Sequence, residues 1–354
     1  MTNNKLLSRV NGRYGSCDLL RFVFSLLIMA HHIYQIGFVN APFHAALIYV
    51  EFFFMISGFF MIQHFENLHS SVSIESSAKE AFKYTFRKYK SLMFYVVPCI
   101  LLEYLLRIVS CLVSSGGISQ IGKILTNLPL ELLMIAPLTS TRFLPPIWYI
   151  SAMLIAMPLL CFLYLRFKEV FAYLLSWFVP VLIFVTRGGV FPSADGFDAI
   201  MRAYCYLSVG CFLYFVASRL SEVYISAKTR FLLTIVELFC FGSTIVLTAL
   251  NRVDKFNIIV VLLGIGVLIM LSGCSYSIKL QGKFLSYLGK ISLPVYTIHW
   301  SVGTFIWLCK SFLESKGYGL PLSVRIVLYY SITIIASILF SFIVDKVKAK
   351  SKKN

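Results

Sequence analysis

CDLLRFVFSLLIMAHHIYQIG, residues 17–37, decides what kind of protein this is. From Phe22 to Ala30 it carries no charge, and the whole run has the ~20-residue length that crosses a hydrocarbon layer. Runs of the same kind recur at about 43–65, 91–114, 145–165, 170–186, 201–217, 231–250, 256–273, 287–309 and 322–344. Together they predict an all-α integral membrane protein of about ten transmembrane helices, because only structures that satisfy their own backbone survive in lipid. Composition agrees. The 354 residues are 59% hydrophobic and 13% charged, where a soluble domain carries roughly 25% charged residues, and mean hydropathy is +0.83.

The stretch 128–138, LPLELLMIAPL, is too short to span and is read as re-entrant or interfacial. The first run exceeds a signal-peptide core and no A-x-A-like site follows it, so it is read as a retained span. Lys and Arg crowd alternate loops: Lys5 to Arg13, Lys79 to Lys90, Arg166 and Lys168, Arg219 to Arg230, Lys279 to Lys290, and Lys346 to Lys353. The positive-inside rule then puts both termini in the cytoplasm, as an even number of spans requires. The same distribution accounts for the net charge of +17 without invoking nucleic acid. One transmembrane domain is expected over 14–344, with a basic cytoplasmic tail at 345–354. In the loop 66–90, Lys79, Lys83, Arg87 and Lys90 share a helical stripe beside Phe82, Phe86 and Tyr89. That pattern predicts an interfacial helix, and its cations also suit a polyanionic cytoplasmic ligand. The nine cysteines are scattered, with no C-x-x-C or Cys/His metal spacing, so no metal is expected.

Ionisable residues inside the bilayer cost roughly 2.5–3.5 kcal/mol each at a helix centre, so each needs a reason. Asp18, Arg21, Ser25 and His32 fall within about a 60° stripe of the first helix, with Arg21 and His32 about 16 Å apart along its axis. His31 points off this stripe. Glu51 opens EFFFMISGFF (51–60) and is placed near the midplane by counting residues from the outside, with Ser57-Gly58 following. His299 lies in ISLPVYTIHW, just after Pro294, and could meet His32 and Glu51 at similar depth. Glu103 and Arg107 form an i,i+4 pair that can neutralise itself. Arg202 and Arg325 sit near the outer ends of their spans, where snorkelling or contact with an external ligand would explain them.

DLLRFVFSLLIMAHH (18–32), EFFFMISGFF, PPIWYISAM (145–153), RAYCYLSVG (202–210) and LGKISLPVYTIHW (288–300) stand in the order and spacing of the integral-membrane acyltransferase 3 family, which the chain resembles over about 14–344. The carriers are the R-x10-H of Arg21 and His32, the acid six residues before Ser57, and the S-x-x-x-Y-x-x-H of Ser292, Tyr296 and His299. One departure is visible: where the family shows R-x-x-R-x-x-P, this chain has Arg87, Lys90 and Met93, with Pro98 later.

The resemblance implies a polysaccharide O-acetyltransferase type. It would transfer an acyl group, usually acetyl, from cytoplasmic acetyl-CoA to a hydroxyl of a surface polysaccharide or lipid-linked precursor, in a bacterial inner membrane. Set on these residues, His32 and Glu51 would be catalytic, with His32 as general base because imidazole titrates near neutrality. Arg21, Arg87 and Lys90 would hold the acyl-CoA; Asp18, Ser57, Trp148, Arg202 and His299 would bind or orient substrate. No Ser or Cys stands out as a nucleophile, which favours direct transfer. Mid-membrane charges suit a transporter or flippase equally well on physics alone, and a non-catalytic scaffold is the third reading.

Overall fold

The computed structural model describes residues 14–39, 42–68, 76–113, 117–135, 143–189 and 194–351. Eleven helices follow one another: α1 Gly15–His31, α2 Tyr49–Asn67, α3 Ser77–Val113, α4 Gly117–Leu132, α5 Trp148–Arg166, α6 Lys168–Thr186, α7 Gly196–Glu222, α8 Ala227–Ala249, α9 Phe256–Ser272, α10 Lys283–Ser315 and α11 Leu322–Ser351. α6 contains a π-helical turn at Phe171–Leu175. No strand occurs among the described residues. Nine helices among them are long and apolar enough to cross a membrane. α10 is also long enough to cross: its 33 residues reach about 50 Å at 1.5 Å per residue, and no Asp, Glu, Lys or Arg occurs between Ile291 and Cys309. It falls outside the nine because Ser, Thr, Pro and His dilute its apolarity, and those are the side chains it brings to the interior.

Two helix pairs organise the bundle. α1 runs along α10, and α2 runs along α7. The second contact is close because it is made by glycine. A Cβ on Gly58 would strike the Leu207 carbonyl, and one on Gly210 would strike the Met55 carbonyl. Small residues at matched heights let the backbones meet, which substitutes dispersion contact for the hydrophobic force that lipid does not supply. α3, α5 and α11 pack around these pairs.

The structure corrects several sequence boundaries. The expected interfacial helix and the span at 91–114 are one 37-residue helix, α3, about 55 Å long. Its first turns keep the amphipathic pattern, with Phe82, Lys83, Phe86, Arg87 and Lys90 exposed. Of the stretch 128–138, the residues up to Leu132 end α4, whose Glu131 accepts the backbone N–H of Phe143 at 2.5 Å and of Leu144 at 3.4 Å. Residues 136–138 lie outside the described ones. The basic tail is helical through Ser351 as the end of α11.

Candidate active site

A polar seam runs between α1 and α10, and it begins at the end that the charge rule assigns to the cytoplasm. Asp18 is buried against Gly289, where a Cβ would collide with its carboxylate. It pairs with Arg21 at 3.4 Å. Ser25 donates to the Arg21 carbonyl at 2.7 Å, the back-bond that a serine makes inside a helix. Arg21 and Ser25 then line a cavity of about 140 Å³ with Ser57, Lys88, Tyr149, Ser292 and Tyr296; Phe53, Ile56, Phe60, Leu92 and Leu293 close its apolar side. No carboxylate pairs with Lys88 among the described residues. The cavity therefore has two cations and one counter-charge, an arrangement that suits an anion.

The cation of α3 at this cavity is Lys88, not Arg87 or Lys90. Arg87 is exposed. Lys90 lies over the Phe86 ring at 4.7 Å and borders an outward groove shared with Phe94, Phe340 and Val344. A sequence signal for Lys88 existed. It is the one cation on the row Ala81, Thr85, Lys88, Leu92, Val96, Cys99, whose i/i+3/i+4 spacing marks the packed face of α3.

Further along the seam, Tyr296 lines the cavity and its ring centroid is 6.2 Å from that of His299. Its hydroxyl is anchored to the Pro146 carbonyl at 2.6 Å. Beyond it His32 and His299 stack, with centroids 5.2 Å apart and planes at 23°. Trp300 meets His32 edge-on at 5.2 Å. His299 is fully buried. Its Nδ1 lies 3.1 Å from the Val295 carbonyl, and because a carbonyl only accepts, Nδ1 carries the proton and Nε2 offers a lone pair. That Nε2, the His32 Nδ1 and the Trp300 Nε1 are all buried without a hydrogen-bond partner among the described residues.

Local backbone chemistry presents this pair. α1 ends at His31, and His32–Ile36 form a 3₁₀ turn closed by Gly37 at φ +88°, a left-handed conformation that glycine adopts without strain. Arg325 donates to the Ile36 carbonyl and so fastens this turn to α11. Arg325 is thus a structural clamp rather than a snorkelling cation. His31, off the stripe as expected, packs beside His32 at 4.7 Å and bonds the His44 carbonyl at 2.5 Å. No group of three His, Cys, Asp or Glu that could hold a metal occurs among the described residues. At 1.5 Å per residue His32 is about 26 Å from the start of α1, at the end of the helix opposite Asp18.

Glu51 does not join the histidines. A 3₁₀ turn at His44–Ile48 precedes α2 and leaves Glu51 in the first turn of the helix. Its charge is taken up by Arg202 of α7, whose Nε donates at 2.7 Å and whose Nη2 also pairs with it; both side chains are fully buried. Arg202 lies over the Trp148 ring at 4.9 Å. Arg202 is therefore neither snorkelling nor at the outer surface. Arg107 pairs with Glu103 at 2.9 Å, as the spacing predicted, and Thr304 donates to the same carboxylate at 3.1 Å.

The sequence profile of the Acyl_transf_3 family, described as an acyltransferase domain, matches residues 14–345. No curated protein and no solved structure matches the chain.

Proposed function

The chain belongs to the acyltransferase 3 family and is a multi-pass membrane acyltransferase, and from that premise we propose that it carries an acyl group, acetyl first, from cytoplasmic acyl-CoA to a hydroxyl of a cell-surface polysaccharide or its lipid-linked precursor, in a bacterial inner membrane. The observation that carries this reading is the stacked His32–His299 pair, with one nitrogen of each ring left unpartnered, on the same seam as the Arg21–Lys88 cavity. Arg21 and Lys88 attract the phosphates of the donor through charge-assisted contacts. The distance from Arg21 to His32 is about 16 Å along α1, which a slender pantetheine arm can cross and a folded nucleotide cannot.

At the outer end, His32 takes the proton of the acceptor hydroxyl as its oxygen attacks the thioester carbonyl. The C–O bond forms, the C–S bond breaks, and the departing thiolate takes the proton from the His32 imidazolium, so that CoA leaves toward the cytoplasm as the thiol and His32 is neutral again. His299, its tautomer fixed by Val295, holds the His32 ring and supplies a second acceptor. General-base catalysis contributes typically 10²–10⁴-fold. Membranes containing His32→Ala, given labelled acetyl-CoA, should lose glycan acetylation by about that factor while protein abundance is unchanged. Full retained transfer would overturn the assignment, and mass spectrometry of surface glycans would identify the group and its position.

A further inference from the structure

Trp300 is 8% exposed, and its indole N–H has no partner among the described residues. A buried unsatisfied donor costs about 1–3 kcal/mol, so its persistence beside two imidazoles calls for an occupant. The occupant's chemistry can be read from the three open atoms. Trp300 Nε1 can only donate, and His299 Nε2 can only accept while Nδ1 is committed to Val295. His32 Nδ1 completes the group. A carbonyl would satisfy the donor and leave the acceptor open, whereas an ammonium would do the reverse. A hydroxyl both accepts and donates: its oxygen takes the Trp300 N–H while its one proton goes to an imidazole nitrogen, and the ring beside the indole is that of His32.

The open side of the cluster is aromatic. Tyr34, on the 3₁₀ turn after His32, is 40% exposed. Its ring lies 5.9 Å from His32 and 6.5 Å from Trp300, inclined to Trp300 at 74°. Gln35 packs against Gly303, one turn beyond Trp300 on α10, and its amide oxygen is also buried without a partner. The exposed ring of Tyr34 offers an apolar face to the C–H face of a pyranose, and Gln35 offers a site for a second hydroxyl.

We propose that Tyr34, Trp300 and Gln35 form the acceptor subsite, in which the Trp300 N–H holds the oxygen of the reacting sugar hydroxyl beside His32 and the Tyr34 ring supports the sugar face. The proposal rests on the acyl-transfer reading and adds to it the residues that recognise the acceptor. In the step, Trp300 Nε1–H donates to the hydroxyl oxygen, and that oxygen's own proton passes to His32. The remaining lone pair is left aimed at the thioester carbon. Trp300 positions; it neither gains nor loses a proton.

The test measures acetyl transfer from labelled acetyl-CoA to a panel of methyl glycosides by the full-length purified protein, with acetyl-CoA binding measured separately. Tyr34→Ala and Trp300→Phe should each raise the glycoside KM about tenfold, equivalent to 1.4 kcal/mol, with acetyl-CoA affinity unchanged. Tyr34→Phe keeps the ring, so its glycoside KM should rise less than that of Tyr34→Ala. Unchanged glycoside KM in both variants of an active enzyme, or a loss confined to acetyl-CoA affinity, would overturn the subsite and leave the acyl-transfer reading standing. A parent protein that neither binds acetyl-CoA nor transfers from it would overturn both. Tyr34 lies at an exposed position, so its variants keep the question open to measurement even where Trp300→Phe fails to fold.

Discussion

Two buried polar clusters occur in this bundle, and they are built on opposite principles. The one between α2 and α7 is closed: Glu51 and Arg202 neutralise each other, Trp148 covers the guanidinium, and two glycines bring the backbones into contact. The one between α1 and α10 is open: His32 stacks on His299 and meets Trp300 edge-on, yet each of the three leaves a nitrogen unpartnered among the described residues. The charge pair fixes how two helices meet, with Glu51 Oε1 carrying the contact and Oε2 accepting no hydrogen bond among the described residues. An open set of donors and acceptors is complete only when something binds. Burial and polarity are alike in both, so it is the pairing of charge that separates them: the first cluster carries its own counter-ion, and the second is a set of uncharged donors and acceptors with none.

The comparison breaks most sharply if one partner of the closed cluster is removed. Glu51→Ala leaves Arg202 buried and uncompensated, which typically costs 3–5 kcal/mol. Thermal denaturation in detergent should show that loss, and Arg202→Met should show a similar one. The double variant Glu51→Leu with Arg202→Met should recover most of it, since replacing both partners by apolar groups is often neutral. A double variant as unstable as either single one would mean that the pair does more than hold the helices.

The open cluster should respond in the other measurement. His299→Gln removes a ring that has one bond to the Val295 carbonyl, and stability should change by less than about 1 kcal/mol. Transfer should fall on the order of a hundredfold, the scale of a misplaced catalytic group. A large stability loss with proportionate activity would place His299 in the same structural class as Glu51.

Much of the fold was legible in the sequence because hydropathy at spanning length needs no knowledge of neighbours. The all-α architecture, its recurrent apolar spans and the Asp18–Arg21–His32 stripe all follow from one-dimensional periodicity. Pairings between helices do not. Glu51 and Arg202 are 151 positions apart, and nothing local says that the carboxylate meets Arg202 rather than His32. Boundaries failed where a helix continues past the apolar run: α3 extends through its basic first turns because Lys, Arg, Glu and Ala are good helix formers whatever surrounds them. The His32 turn was hidden for the converse reason, since the helix ends there through tertiary bonds from Arg325 and Tyr329 rather than through a capping sequence.

The smallest expected effects test the cytoplasmic end of the open seam. Three neighbouring cations of α3 have the same charge and nearly the same sequence context, yet only Lys88 lines the cavity with Arg21. A hydrogen bond to a charged group contributes about 1.5–3 kcal/mol when desolvated, whereas exposed charges contribute about 0–1 kcal/mol and are screened by salt. Lys88→Met should therefore raise the acetyl-CoA KM roughly tenfold, with the rise largely preserved in high salt. Arg87→Gln and Lys90→Gln should each change it by less than about threefold, and that change should fade as salt is added. Equal effects from all three would mean that the donor is attracted by the charge of the whole surface and is not held in the cavity. Since His32 and His299 are untouched in these variants, kcat at saturating donor should stay at the parent value, so the split between KM and kcat reads the donor end separately from the acceptor end.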